Sequence, residues 1–167
     1  MPALSRTVEA LRPGVFAELQ TRIESQRQRG ATLLPLHIGD TCLGPADLAN
    51  PAEACAGVSP IELCRYSTTS GLSALRQAVA ARHHARGFAL VDPEHEVFVG
   101  AGATHVLSCF ARALLDPGDE VVMPSPYWPL AHGLLTATGA RVVEVPTSDP
   151  ERIAAACTPK TKALYVI

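Results

Sequence analysis

Residues 97–123 read VFVGAGATHVLSCFARALLDPGDEVVM, and three kinds of pattern follow one another inside them. Val97–Val99 is a short apolar run, expected as a strand. Ala103, Val106, Leu107, Phe110, Ala111 and Leu114 recur at steps of three and four, the apolar stripe of a helix. Asp116-Pro-Gly-Asp119 carries the residue types of a tight turn, and Glu120–Met123 is again a strand. Strand, helix and strand in so short a span form a crossover unit, the building block of a parallel sheet.

The alternation continues downstream. Leu130–Thr138 is expected as a helix ended by Gly139, Arg141–Val145 as a strand, Glu151–Cys157 as a short helix and Ala163–Ile167 as a fourth strand. Upstream, residues 71–86 have helical spacing through Leu72, Leu75 and Val79, with Ser70 as a possible N-cap and Gly87 as the stop. Residues 15–28 form another helix, closed by Gly30. Between Leu33 and Ser70 no period is sustained, and prolines and glycines recur, which predicts an extended segment of loops and short pieces. The fold class is therefore α/β, a three-layer, mostly parallel sheet with helices on both faces, incomplete in this chain. Its last expected strand ends at the final residue, at the edge where open α/β sheets place ligands, so the sequence reads as the N-terminal portion of a larger protein.

Composition excludes several classes of function. With 167 residues, 47% hydrophobic, 18% charged and a net charge of −2, the chain can build a core and has no general attraction for nucleic acid or anionic lipid. Arg6, Glu9, Arg12 and Glu18 interrupt the N-terminus where a signal peptide needs an apolar stretch, so a cytoplasmic location is expected. Five widely spaced cysteines without a C-x-x-C pair predict free, mainly buried thiols rather than disulfides or zinc. The six histidines show no metal spacing on a shared face, so no metal is expected and surface or capping roles are.

Two places can carry chemistry. At Gly100-Ala-Gly102-Ala-Thr104 a strand passes through small residues into a helix, where free N–H groups and the positive end of the helix dipole meet and Thr104 adds a hydroxyl. It can bind a phosphate or simply let a helix pack closely, and both readings are open. As a dinucleotide fingerprint it fails, because His105 stands at the third glycine. Pro124-Ser-Pro-Tyr-Trp-Pro129 follows the next strand, so it belongs at the same carboxyl edge. Trp128, the only tryptophan, can stack on a planar ligand or sit in the core.

Taken in order, these segments resemble the N-terminal half of the class I/II aminotransferases, the pyridoxal-phosphate enzymes of fold type I. The resemblance rests on Leu36-His-Ile-Gly39-Asp40, Arg65-Tyr66-Ser-Thr-Thr-Ser-Gly71-Leu-Ser-Ala-Leu75-Arg76, the Gly102-Ala-Thr turn, Leu115-Asp-Pro-Gly-Asp-Glu-Val-Val-Met-Pro124, Pro126-Tyr-Trp and Thr158-Pro-Lys-Thr-Lys162. It implies pyridoxal 5′-phosphate as cofactor, with Gly102, Ala103 and Thr104 on its phosphate and Trp128 on its ring. It further implies that Tyr66 reaches the phosphate of the other subunit of a homodimer and that Gly39 lies beside the substrate carboxylate. The division it suggests is an N-terminal helix and substrate segment, 1–64, followed by the first part of the cofactor-binding domain, 65–167. The implied reaction moves an amino group between an amino acid and a 2-oxo acid. Related enzymes run lyase or synthase chemistry on the same cofactor, and a catalytically silent ligand-binding domain is a third reading.

The family's Schiff-base lysine, its pyridinium-binding aspartate and its carboxylate-binding arginine follow the last matched strand, and none has a counterpart here. The only lysines, Lys160 and Lys162, precede the last strand and match surface positions. No catalytic residue is therefore assigned, and these 167 residues alone are expected to be inactive and poorly soluble.

Overall fold

The structure is a computed structural model that describes residues 3, 5–9, 11, 14–34, 36, 39, 43–44 and 50–167. His37, Ile38, Asp40 and Cys42 lie outside the described residues. In chain order the elements are α1 (Arg6–Glu9), α2 (Val15–Gln28), α3 (Pro51–Cys55), α4 (Pro60–Leu63), α5 (Ser73–Ala85), α6 (Ala103–Leu114), β1 (Glu120–Pro124), α7 (Pro129–Thr136), β2 (Arg141–Val145), α8 (Pro150–Ala155) and β3 (Thr161–Leu164). Contacts divide the chain into two compact units, residues 1–31 with 101–167, and residues 32–100.

The first unit holds a parallel sheet of order β2-β1-β3. β1 is central, and Val121, Val122 and Met123 are all fully buried, so both of its faces are covered. Val121 and Met123 join Ala111, Leu115, Ala131, Leu135 and Ala140 in the core, with Leu107, Leu114, Tyr127 and Trp128 packed against it. α6 enters β1 through a turn in which Asp119 N–H donates to the Asp116 carbonyl and Asp116 N–H to the Asp119 carboxylate. So tight a connection sends α6 and β1 in opposite directions and puts the start of α6 toward the carboxyl end of β1.

At the opposite edge of the sheet, Glu120 is buried and takes a hydrogen bond from Thr158 Oγ1 at 2.7 Å, while Arg141 Nε lies 3.3 Å from its other oxygen. Its backbone N–H donates to the Lys160 carbonyl. Lys160 and Lys162 are therefore at the amino edge, away from the start of α6.

Two expectations about strands are corrected. Val97–Val99 is not a strand: its one ladder-like bond runs from Val99 N–H to the Ser70 carbonyl at 3.0 Å, and a single bond without a second neighbour builds no ladder. The sheet among the described residues thus has three strands rather than four. The last strand spans 161–164 rather than 163–167: its pairing with β1 begins with Thr161 opposite Glu120 and runs, past an irregularity between Glu120 and Val121, to Leu164 opposite Val122. Val166 and Ile167 lie past the pairing and are exposed.

In the second unit, α3 is capped by the Asn50 side chain and α4 by a reciprocal Ser59–Glu62 capping box, the short pieces expected between prolines. α5 starts at Ser73 with Leu72 at its N-cap, so Ser70 does not cap it. The Ser70 carbonyl is instead taken up by Val99, and Gly71 turns the chain with φ at +97°. Arg76 explains why the turn holds: its guanidinium, 4% exposed, donates to the Gly71 carbonyl (3.2 Å), the Pro93 carbonyl (2.6 Å) and the Glu94 carboxylate (2.8 Å).

α2 ends as the sequence predicts. Gly30, at φ +78°, donates to the Arg27 carbonyl and Ala31 to the Gln26 carbonyl, the paired bonds of a Schellman stop.

Candidate functional site

Gly102 is the N-cap of α6, with φ +84° and ψ 163°, a conformation that glycine adopts at no steric cost. The first intrahelical bond is Val106 N–H to the Gly102 carbonyl at 3.2 Å. The N–H groups of Ala103, Thr104 and His105 therefore have no acceptor among the described residues, and all three residues are exposed. No side chain caps the mouth and no acidic residue occupies the first turn. A β-carbon built on Gly102 would meet no atom within 4 Å, so the space before the mouth is open. Convergent N–H groups, the helix dipole and the Thr104 hydroxyl suit a compact anion.

His105, a break in the dinucleotide fingerprint and one of the histidines expected in surface or capping roles, is exposed and reaches back over the start of α6. Its Nδ1 accepts the Ala101 N–H at 3.1 Å and its Nε2 lies 3.4 Å from Cys109 Sγ. The signal that could have found it is position: His105 is the third residue of the helix, where capping-box side chains reach back over the start.

Trp128 is the N-cap of α7, four residues past the end of β1, and is half-buried with part of its surface against the core. Ser125 N–H donates to the Val145 carbonyl at 2.9 Å, which ties this loop to the carboxyl end of β2. Beside it lies a cleft of about 460 Å³ lined by Val15, Pro126, Tyr127, Leu130, His132 and Glu144, with His132 Nε2 3.4 Å from Glu144 Oε1. The structure thus gathers Gly102, Ala103 and Thr104 at one helix mouth and places Trp128 at the carboxyl edge of the central strand in the same unit.

Tyr66 and Gly39 belong to the other unit. Tyr66 is entirely exposed, so it is not a packed core tyrosine in this chain. Gly39 is exposed, and a β-carbon there would meet nothing within 4 Å. In the same unit, the Arg76 guanidinium and the Ser73 hydroxyl hold Glu94 below the usual carboxylate range. The hydrogen bond from His95, at 2.7 Å, lowers Asp92, and the same bond raises His95.

The cysteine expectation is corrected in one respect. Cys55, Cys64, Cys109 and Cys157 are free, but all four are exposed rather than buried: Cys55 ends α3, Cys64 and Cys157 follow α4 and α8, and Cys109 lies on α6. Among the described residues no cluster of three or more His, Cys, Asp or Glu side chains could hold a metal ion. None of their helices is long and apolar enough to cross a membrane.

Residues 34–166 match the family model described as aminotransferase class I and II. The chain belongs to this family. Among its relatives is the aspartate/prephenate aminotransferase of Thermus thermophilus, 33% identical over 99% of this chain and 44% of that protein. Another is the arginine–pyruvate transaminase of Pseudomonas aeruginosa, 33% identical over 88% of this chain and 38% of the relative. A solved Thermus thermophilus aspartate aminotransferase superposes with a TM-score of 0.84 at 32% identity, covering 99% of this chain and 44% of the other. The alanine aminotransferase of Pyrococcus furiosus gives 0.83 at 26% identity over 97% of this chain and 43% of the other. The chain thus spans less than half the length of these aminotransferases, and its fold is part of the fold type I α/β architecture. Class I/II aminotransferases use pyridoxal phosphate. The mouth of α6 fits the phosphate end of that cofactor: open space at Gly102, three N–H groups without an acceptor among the described residues, a hydroxyl and no acidic residue in the first turn.

Proposed function

We propose that the protein is an aminotransferase that moves an amino group between an amino acid and a 2-oxo acid, and that these residues supply its phosphate site and one wall of its cofactor pocket. The observation that carries the reading is the start of α6. Ala103, Thr104 and His105 present N–H groups without acceptors among the described residues, behind a glycine whose φ is +84°, at the carboxyl edge of a parallel sheet. When bound, the cofactor supplies an electron sink for the carbon that loses its proton. The residues of this chain bind and orient. Gly102, Ala103 and Thr104 hold the phosphate, and Trp128 flanks the ring from the carboxyl end of β1. Tyr66, wholly exposed, fits a role at the phosphate of a second subunit in a homodimer. Gly39 lies beside the substrate carboxylate in this reading.

In functional terms residues 1–64 then form the N-terminal helix and substrate segment, and residues 65–167 the first part of the cofactor-binding domain. The protein acts in the cytoplasm. The lysine that bonds the cofactor has to come from outside these residues, since Lys160 and Lys162 lie at the amino edge of the sheet.

Borohydride reduction of the cofactor-loaded intact protein, followed by peptide mapping, tests this reading. Fixation at a lysine outside residues 1–167, together with transfer of an amino group to a 2-oxo acid, is expected. Stoichiometric labelling of Lys160 or Lys162 with turnover, or no affinity for the cofactor at all, would overturn it. Cofactor binding without any turnover would point instead to a silent binding domain.

A further inference from the structure

We propose that His105 is a positioning residue for the anion site: its Nδ1 holds the Ala101 N–H and so fixes the course of the chain into Gly102, leaving the N–H groups of Ala103, Thr104 and His105 to the phosphate. The proposal rests on reading this turn as the phosphate site. Among the described residues, Ala101 is the only one of the five from 101 to 105 whose N–H finds an acceptor, and that acceptor is the imidazole, 3.1 Å away. Gly102, immediately after it, is the least restrained residue type, and no atom stands within 4 Å of where its β-carbon would be. Among the described residues the one hydrogen bond donated by residues 100–102 goes to this ring.

The ring is fixed at both ends. An N–H donor leaves Nδ1 only the acceptor role, so a neutral imidazole carries its proton on Nε2, which faces Cys109 Sγ one helical turn further on at 3.4 Å. His105 therefore reaches back one residue further than a capping-box side chain does, and engages the residue before the N-cap rather than the N-cap itself. That choice leaves the mouth of the helix unblocked, where a Glu at the same position would set a negative charge against the anion.

The two ring nitrogens can be separated by substitution. His105→Asn puts an amide oxygen where Nδ1 sits; His105→Gln puts its amide near the position of Nε2; His105→Leu keeps the bulk and offers neither. Each variant of the intact protein is titrated with pyridoxal phosphate and, separately, with inorganic phosphate, and its melting temperature is recorded. His105→Asn is expected to bind both anions within about twofold of the unaltered protein. His105→Gln and His105→Leu should bind both more weakly by roughly two- to tenfold, the worth of one hydrogen bond. Nitrogen NMR should show the His105 proton on Nε2, with the Ala101 amide shifted in the Gln and Leu variants only. If His105→Leu fails to fold, the Asn and Gln pair still decides the matter. Equal affinity in Asn and Gln, or retention in Gln with loss in Asn, overturns the role of His105 while leaving the phosphate reading intact. An unaltered protein that binds neither anion overturns the phosphate reading and this proposal with it.

Discussion

Gly102 and Gly71 both have positive φ, yet substitution fails at each for a different reason. At Gly102 an added β-carbon meets only open space, so Gly102→Ala pays in backbone strain alone, about 1–3 kcal/mol. Urea denaturation should show that loss, and phosphate affinity should fall with it because the N–H groups lose their common aim. At Gly71 the same carbon would stand 2.6 Å from Val99 Cβ and from Cγ2. Gly71→Ala should therefore destabilise by more than Gly102→Ala in the same titration, and Val99→Ala should not rescue it, since Cβ remains. The glycine turn was legible in the sequence because a glycine and a helical stripe are local signals. For His105 a surface or capping role was legible but its partner was not, since that partner is a backbone N–H that every residue has. Arg76 was visible only as a letter in a motif, and the exposure of the four cysteines depends on which elements cover them.

Among elements, the turn over residues 92–96 couples to pH through a single pair. His95, raised above its ordinary 6.5 by Asp92, contributes stability that is fully present below 6.5 and is lost as pH rises through its folded value. Asp92, lowered from 3.8 chiefly by the His95 hydrogen bond, contributes stability present above 3.8 and lost as pH falls through its own folded value. His95→Asn should therefore lower the melting temperature most at about pH 5, between those two limits, and hardly at all near pH 9. The effect will be small, because both side chains are exposed. Helix positions were readable because their periodicity is carried by neighbours in sequence, and α2, α5 and α6 fall within a residue or two of expectation. Strands depend on partners far along the chain. Val97–Val99 has the composition of a strand and lacks a ladder, and β3 begins two residues and ends three residues before its expected bounds, because its extent is set by where β1 pairs with it.

For the whole molecule, the α/β class and its parallel order followed from alternation alone, whereas the extent of coverage did not. Phe98, Phe110, Val166 and Ile167 are all more than half exposed. The 167 residues expressed alone should bind a hydrophobic dye such as ANS and associate as concentration rises in sedimentation experiments; a monomer that melts cooperatively would contradict this. The arrangement of the units also bears on synthesis. Residues 1–31 share a unit with residues 101–167, while residues 32–100 form the other. As the polypeptide leaves the ribosome, α2 emerges well before any strand of the sheet exists, and the intervening unit can condense first. The central strand β1 is then made before either flank, so β2 and β3 emerge in turn when the strand each of them pairs with has already been synthesised.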